Sequence, residues 1–353
     1  MLPFFDSPPR TQYRRPACQL AFDGGFEGDS LTAVRIARGL GDAVDYVELS
    51  LGPSPPAGLL SFGSAEPELG ETCTVSLGYA DGEMETVFTG WIDRISKSLD
   101  GGTRIGLANG GARLARLRVE ASYYGETAGG IVTALAGEGG IDTGTVEDGL
   151  SLPAYVVDGG RSAWSHCAEL ATRHGFLLYL DSEDVLHFRE PPEEPAEIAF
   201  SYGVDLISAR ASSASPHPVG IRATGEGAAG SQGTNAWNWL VKDPGGVRAE
   251  MGEAPFVPID DGALRSGESC ETVATNRLNR ATAGADRLRA TVPGTAALGP
   301  GVLVEILEAP SESLNGVFLI HAVQHRFDVR RGFVSVIDGV RAGASDSLLG
   351  GLF

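Results

Sequence analysis

A chain of 353 residues, 42% of them hydrophobic, has room for two or three packed domains and is too apolar to be disordered as a whole. Its formal net charge of −19 repels phosphate backbones and anionic membranes, so neither nucleic-acid binding nor membrane association is expected. No run approaches the ~20 apolar residues of a membrane helix, and the opening MLPFFDSPPRTQYRRP lacks a secretory apolar core, so synthesis in the cytoplasm of the producing cell is expected.

The first region alternates with period two. Residues 17–22, 33–37, 46–51, 72–79, 86–96 and 104–107 read as half-buried strands. GPSPP at 52–56 breaks the run, and Asp81-Gly82 is a hairpin turn signal. The middle changes period. Residues 129–137 and 162–174 read as helices, the second with Trp164, Cys167, Leu170 and Ala171 on one face and Gly175 as its C-cap. Strands at 176–180 and 185–188 follow, and then EPPEEPAE at 190–197, a Pro- and Glu-rich linker.

The last region returns to strands at 204–211, 219–224, 287–292, 301–308, 317–329 and 333–340. Residues 225–238 read as a Gly-rich loop and 243–261 as irregular. Residues 269–283 read as a helix capped by Ser266 or Ser269, and Asn315-Gly316 as a turn. The expectation is a β-rich (α+β) chain: strand-rich over 1–114, a small α+β module over 115–195, strand-rich over 196–342 with a helix near 269–283, and a tail at 343–353. Antiparallel strands joined by tight turns suggest barrels or sandwiches.

Chemistry-bearing patterns are weak. Residues 225–230 match GxGxxG, but SQGTNAWNW follows where a dinucleotide site needs a helix, so a hairpin loop is the better reading. His321 and His325 lack a third metal ligand and lie about 13 Å apart along a strand. Cys167, with His166 or His174 nearby, sits on the inner face of a helix and reads as core. Cys18, Cys73 and Cys270 form no CxxC pair and read as free thiols. No catalytic residue, metal site or cofactor is expected.

Partner contact is the remaining role for singled-out residues. Trp237 and Trp239 close a loop-like stretch and are candidates for an exposed contact surface; core packing is the other open reading. The apolar tail residues Leu348, Leu349, Leu352 and Phe353 either dock on another chain or tuck onto their own domain. Positive charge is nearly all Arg, with Lys only at Lys97 and Lys242. Interface chemistry and genome-wide composition both account for that.

Several stretches, in order and spacing, resemble one family. Residues 85–96 (ETVFTGWIDRIS) resemble its fxGxI strand at Phe88, Gly90 and Ile92. Residues 114–118, then Tyr123, Tyr124 and 127–135, resemble the segment that ends a first barrel and enters a helix. Residues 162–179 (SAWSHCAELATRHGFLLY) resemble sdwdfLxxlAexxGfxxy, and 184–188 the strand after it. Residues 299–306 and 315–325 resemble pGxxvxixg…dGxyxVxxVxH through Gly301, Val304, Gly316, Val323 and His325. The family is the phage late control protein D family, related to the tail-hub part of VgrG and other contractile-injection hubs.

The resemblance implies two tail-tube-like β-barrel domains flanking the small module. It implies a non-enzymatic homotrimer whose six barrels meet a hexameric tail tube on one side and a trimeric spike on the other. Its expected partners are the tail tube protein, the spike protein and inner baseplate proteins of a contractile phage tail-like particle. No long spike repeat follows the second strand-rich region, so the spike is expected on a separate chain. The alternative is a cell-wall (peptidoglycan) hydrolase of the same particle, which requires a paired acid and base in a cleft. A tube protein, needing one barrel, would be shorter.

Overall fold

The alternating stretches of the first region form β1 (Pro16–Phe22), β2 (Leu31–Gly39), β3 (Tyr46–Leu51), β4 (Thr72–Tyr79), β5 (Met84–Lys97) and β6 (Thr103–Ala108). The computed structural model describes residues 14–25, 28, 30–41, 44–53, 66–193, 195–228, 240–242 and 246–342. These six strands are antiparallel in the order β1-β4-β5-β6-β3-β2. Every second residue, including Val34, Ile36, Val47, Leu49, Cys73, Val75, Ile105 and Leu107, turns into one core. Gly90 is fixed by crowding: a Cβ there would lie 2.2 Å from the Ala108 carbonyl oxygen.

A short helix, α1 (Gly110–Arg116), leaves the end of β6. Its two leading glycines are set by packing. A Cβ at Gly110 would stand 2.9 Å from Ile141, and one at Gly111 3.1 Å from Leu180. Next come β7 (Ala121–Tyr123), β8 (Glu126–Thr127), α2 (Ala128–Glu138), β9 (Thr143–Val146), β10 (Ser151–Leu152), β11 (Tyr155–Val157), α3 (Ala163–His174), β12 (Leu177–Leu180) and β13 (Leu186–Arg189). Thr127 caps α2 by accepting from Gly130 N at 3.1 Å, and Ser162 caps α3 by accepting from Ser165 N at 3.1 Å. Gly175, at φ +72°, ends α3 as expected. Leu114, Ile131, Leu135, Trp164, Cys167, Leu170, Leu178 and Phe188 share one core.

The remaining elements are β14 (Ile198–Ser201), β15 (Ser208–Ser213), β16 (Gly220–Thr224), β17 (Glu226–Ala228), β18 (Leu240–Lys242), β19 (Arg248–Gly252), β20 (Phe256–Asp260), α4 (Gly267–Ala283), β21 (Asp286–Pro293), β22 (Leu303–Leu307), β23 (Gly316–Asp328) and β24 (Gly332–Arg341). Six of them, β14, β15 and β21–β24, join the six strands of the first region in one 12-stranded sheet. Its long path runs β1-β4-β5-β6-β3-β2-β23-β24-β21-β15, with β22 also on β23 and β14 on β22. Phe200, Leu288, Val292, Ile306, Phe318 and Ile337 belong to a second core, while Phe327 and Phe333 extend into the first.

The described residues of 220–283 add no strand to that sheet. They form their own three-stranded sheet, β19-β16-β20, covered by α4, whose Cys270 and Val273 pack against Ile221 and Ala223. Three expectations change here. Of the stretch 243–261, expected to be irregular, the described residues 246–261 hold β19 and β20. The stretch 225–238 begins with β17, which pairs with β18. The strand expected at 204–211 starts only at Ser208, because Asp205 Oδ1 accepts from Ser201 N at 2.6 Å and bends 201–205 into a turn. Strand β14, which follows the Pro-rich linker, was absent from the sequence reading.

Candidate functional site

The joint between the two strand-rich regions is the feature around which the molecule is organised. Strand β23 forks. Residues 316–319 pair with β22, and after a bulge between Ile320 and Ala322, residues 322–328 pair with β2. Gly301 N donates to Ile320 O and Leu40 N to His321 O, both at 2.9 Å, so the carbonyls at the changeover stay satisfied.

Buried polar groups lock this joint to the middle module. Arg38 Nη2 donates to Leu180 O at 2.9 Å, and Gly41 N donates to Leu178 O at 2.9 Å. Arg38 Nε lies 3.6 Å from Asp45 Oδ2; both side chains are almost wholly buried. Asp45 also accepts from Gly39 N at 3.0 Å and Asn109 Nδ2 at 3.1 Å. Burial nonetheless pushes the Asp45 carboxyl up to about 6, outweighing the pull of Arg38 and the hydrogen bonds. Asp184, which accepts from Gly110 N at 2.7 Å, is pushed up to about 6 by the same cause.

A second polar clasp ties α3 to α4. Arg173 pairs with Glu169 at 2.7 Å and with Asp261 at 2.8 Å. Its carbonyl accepts from Asn276 Nδ2 at 3.1 Å, and Arg280 Nη1 donates to Thr172 Oγ1 at 2.9 Å.

The groups singled out for chemistry are used structurally. His325 is fully buried between Ser335 Oγ, at 2.9 Å, and Leu298 O, at 3.0 Å. His321 sits at the bulge beside the fork. Burial lowers both imidazoles to about 4. Cys167 lies in the middle core, its thiol pushed up to about 12 by burial, and is a packing group rather than a thiolate. His166 bonds the Tyr155 hydroxyl at 3.1 Å, and His174 Nδ1 meets Leu170 O at 2.6 Å.

Trp237, Trp239, Leu348, Leu349, Leu352 and Phe353 lie outside the described residues. An apolar surface that the sequence reading missed is within them: Tyr202, Val204 and Ile207 are 56%, 72% and 59% exposed, between β14 and β15. Reading 204–211 as a half-buried strand concealed it. Strand β15 beside it ends the long path of the sheet, with no further strand neighbour among the described residues. No helix among the described residues is long and apolar enough to cross a membrane.

No family model and no curated protein matches the sequence. Solved structures do match the fold. The 43 kDa tail protein of prophage MuSo2 from Shewanella oneidensis is 19% identical, with a TM-score of 0.71 over 93% of this chain and 99% of that one. A tail protein from Neisseria meningitidis MC58 is 15% identical, with a TM-score of 0.67 over 94% and 98%. An E. coli component of the type VI secretion system, itself described as similar to the T4 bacteriophage tail proteins gp27 and gp5, is 13% identical, with a TM-score of 0.59 over 94% and 78%. Over nearly its whole length, the chain has the fold of phage tail proteins.

Proposed function

We propose that the chain is the structural, non-enzymatic baseplate hub of a contractile phage tail-like particle or injection system, acting as a homotrimer that joins a hexameric tail tube to a trimeric spike. The observation that carries this reading is the division of the 12-stranded sheet into six strands from each flanking region, joined through β2 and β23. Two comparable sheet bodies per chain give six in a trimer. That arrangement meets six-fold symmetry on one face and three-fold on the other with one repeated subunit interface. The fold shared with tail proteins, and the resemblance to the late control protein D family, support it.

In this reading residues 1–114 and 196–342 are the two tube-like domains and 115–195 the module beside them. The exposed apolar turn at Tyr202, Val204 and Ile207, with Trp237, Trp239 and the 343–353 tail, serves subunit, tube, spike or inner-baseplate contacts. The chain is made in the cytoplasm of the producing cell and then built into the particle.

Light scattering on the purified chain, alone and with its co-encoded spike candidate, tests this. A three-to-three complex is expected. A monomer that binds neither spike nor tube overturns the hub, and peptidoglycan hydrolysis would then be assayed.

A further inference from the structure

The solvent side of the long sheet carries charge opposite to that of the chain. One row of register partners crosses five strands as Arg94, Gly106, Glu48, Arg35 and Arg326. Arg104 lies on the same face one row away. Arg289 and Arg210 lie on that face of β21 and β15 in the row of Asp338 and Ala322, two same-face rows from Arg326, so the stripe steps sideways as it crosses β24. All six arginines are exposed, on the face away from the two cores. They outnumber the carboxylates of these rows, Glu48, Asp328 and Asp338, although Asp and Glu total 46 in the chain against 27 Lys and Arg. Arg289 pairs with Asp338 at 3.3 Å; among the described residues no ion pair joins the other five to a carboxylate.

Two registers set like charges directly opposite each other: Arg35 faces Arg326 across β2 and β23, and Arg289 faces Arg210 across β21 and β15. Such pairs destabilise a sheet by themselves. A cleft of about 270 Å³ opens between the Arg35–Arg326 pair and Arg289, lined also by Arg38, Gln324 and Asp338, the partner of Arg289.

We propose that this stripe seats an acidic segment of another polypeptide. Guanidinium groups bind carboxylates in bidentate fashion, and an anion between opposed arginines removes their repulsion. From β5 to β15 the stripe spans about 34 Å at ~4.8 Å per strand, the reach of roughly ten extended residues. A narrow acidic segment stays within the stripe. A long nucleic acid would overlap the surrounding surface of a chain at −19, which repels it. The inference stands on this face and does not depend on the hub reading.

The test uses the full chain and two fluorescent probes, an oligoglutamate peptide and a duplex DNA oligonucleotide, read by anisotropy across a salt series. Two double variants reverse charge, Arg35→Glu with Arg326→Glu and Arg289→Glu with Arg210→Glu; Arg118→Glu in the middle module is the control. The wild type is expected to bind the peptide more tightly than the duplex, and each double variant to lose about tenfold or more in peptide affinity while the control does not. The neutral variant Arg326→Gln is expected to melt at or above the wild-type temperature. Three results would overturn the proposal: no peptide binding by the wild type, peptide affinity unchanged in both double variants, or tighter binding of the duplex, which would assign the stripe to nucleic acid.

Discussion

Arg38, near the end of β2, donates a hydrogen bond to the backbone carbonyl of Leu180 in β12, 142 residues away, at 2.9 Å. That bond and the neighbouring Asp45 make one side chain the meeting point of the joint and the middle module. Replacing Arg38 by Ala leaves Asp45 buried without its cation and Leu180 O without its donor. The expected loss is about 3–5 kcal/mol of unfolding free energy, measured by urea denaturation. Adding Asp45→Asn to Arg38→Ala should recover part of it, whereas strictly additive losses would mean that the two side chains are not coupled.

The Asp45 carboxyl has a folded pKa raised to about 6 above an ordinary value near 3.8. The folded state therefore holds its proton more tightly than the unfolded state. That contribution is fully present below about pH 4 and is lost as pH rises through about 6. His321 and His325, lowered to about 4, act in the opposite sense over much the same window, so the wild-type profile alone is uninformative. The difference between Asp45→Asn and wild type isolates the carboxyl. Between pH 4 and 7.5 it should move in favour of the variant, by on the order of 2–3 kcal/mol. A flat difference would place the Asp45 pKa near its ordinary value.

Gly90→Ala drives a methyl group toward the Ala108 carbonyl oxygen, 2.2 Å from the ideal Cβ position, and into Phe88. Neither neighbour is a flexible chain end, so β5 must shift. A loss of about 1–3 kcal/mol or more is expected from overpacking, read as a lower urea midpoint. Gly137, where a Cβ would meet nothing within 4 Å, is the matched control.

Arg173→Met removes the ion pair that ties α3 to Asp261, while the Arg173 carbonyl keeps its bond from Asn276 of α4. Amide hydrogen exchange should then speed up across α4 and β20 while the 12-stranded sheet keeps its protection. Uniform loss of protection would show that residues 220–283 do not open as a unit.

The long strands were legible because one of their faces is wet and the other dry. Val34 and Ile36, or Val47, Leu49 and Leu51, announce a strand by alternation alone. Strand β19 (RAEMG) alternates too, with Ala249 and Met251 turned toward the core under α4, but over only five residues and without a β-branched side chain the signal is short and weak. Strand β20 contains Pro258, which argues against a central strand but is tolerated because β20 lies at the edge of its sheet. Helix α1 was hidden by Gly110 and Gly111, glycines kept for close packing rather than for a turn. The cap of α4 was legible, as Ser266 Oγ accepts from Ser269 N at 3.1 Å. The joint was not: Asn109 and Leu180 lie 64 and 142 residues from the partners Asp45 and Arg38 that they bond, and only the folded backbone brings them together. The Arg stripe was also invisible, because composition records how many arginines there are but not which strand faces which.

The fork in β23 has a mechanical consequence. Seven consecutive residue pairs tie β2 to β23, while β24 runs along the other edge of β23 past the changeover. A pull on one half directed along these strands loads the cross-strand hydrogen bonds side by side in shear instead of opening them one at a time. The joint between the halves therefore resists sliding along the strands more strongly than peeling across them.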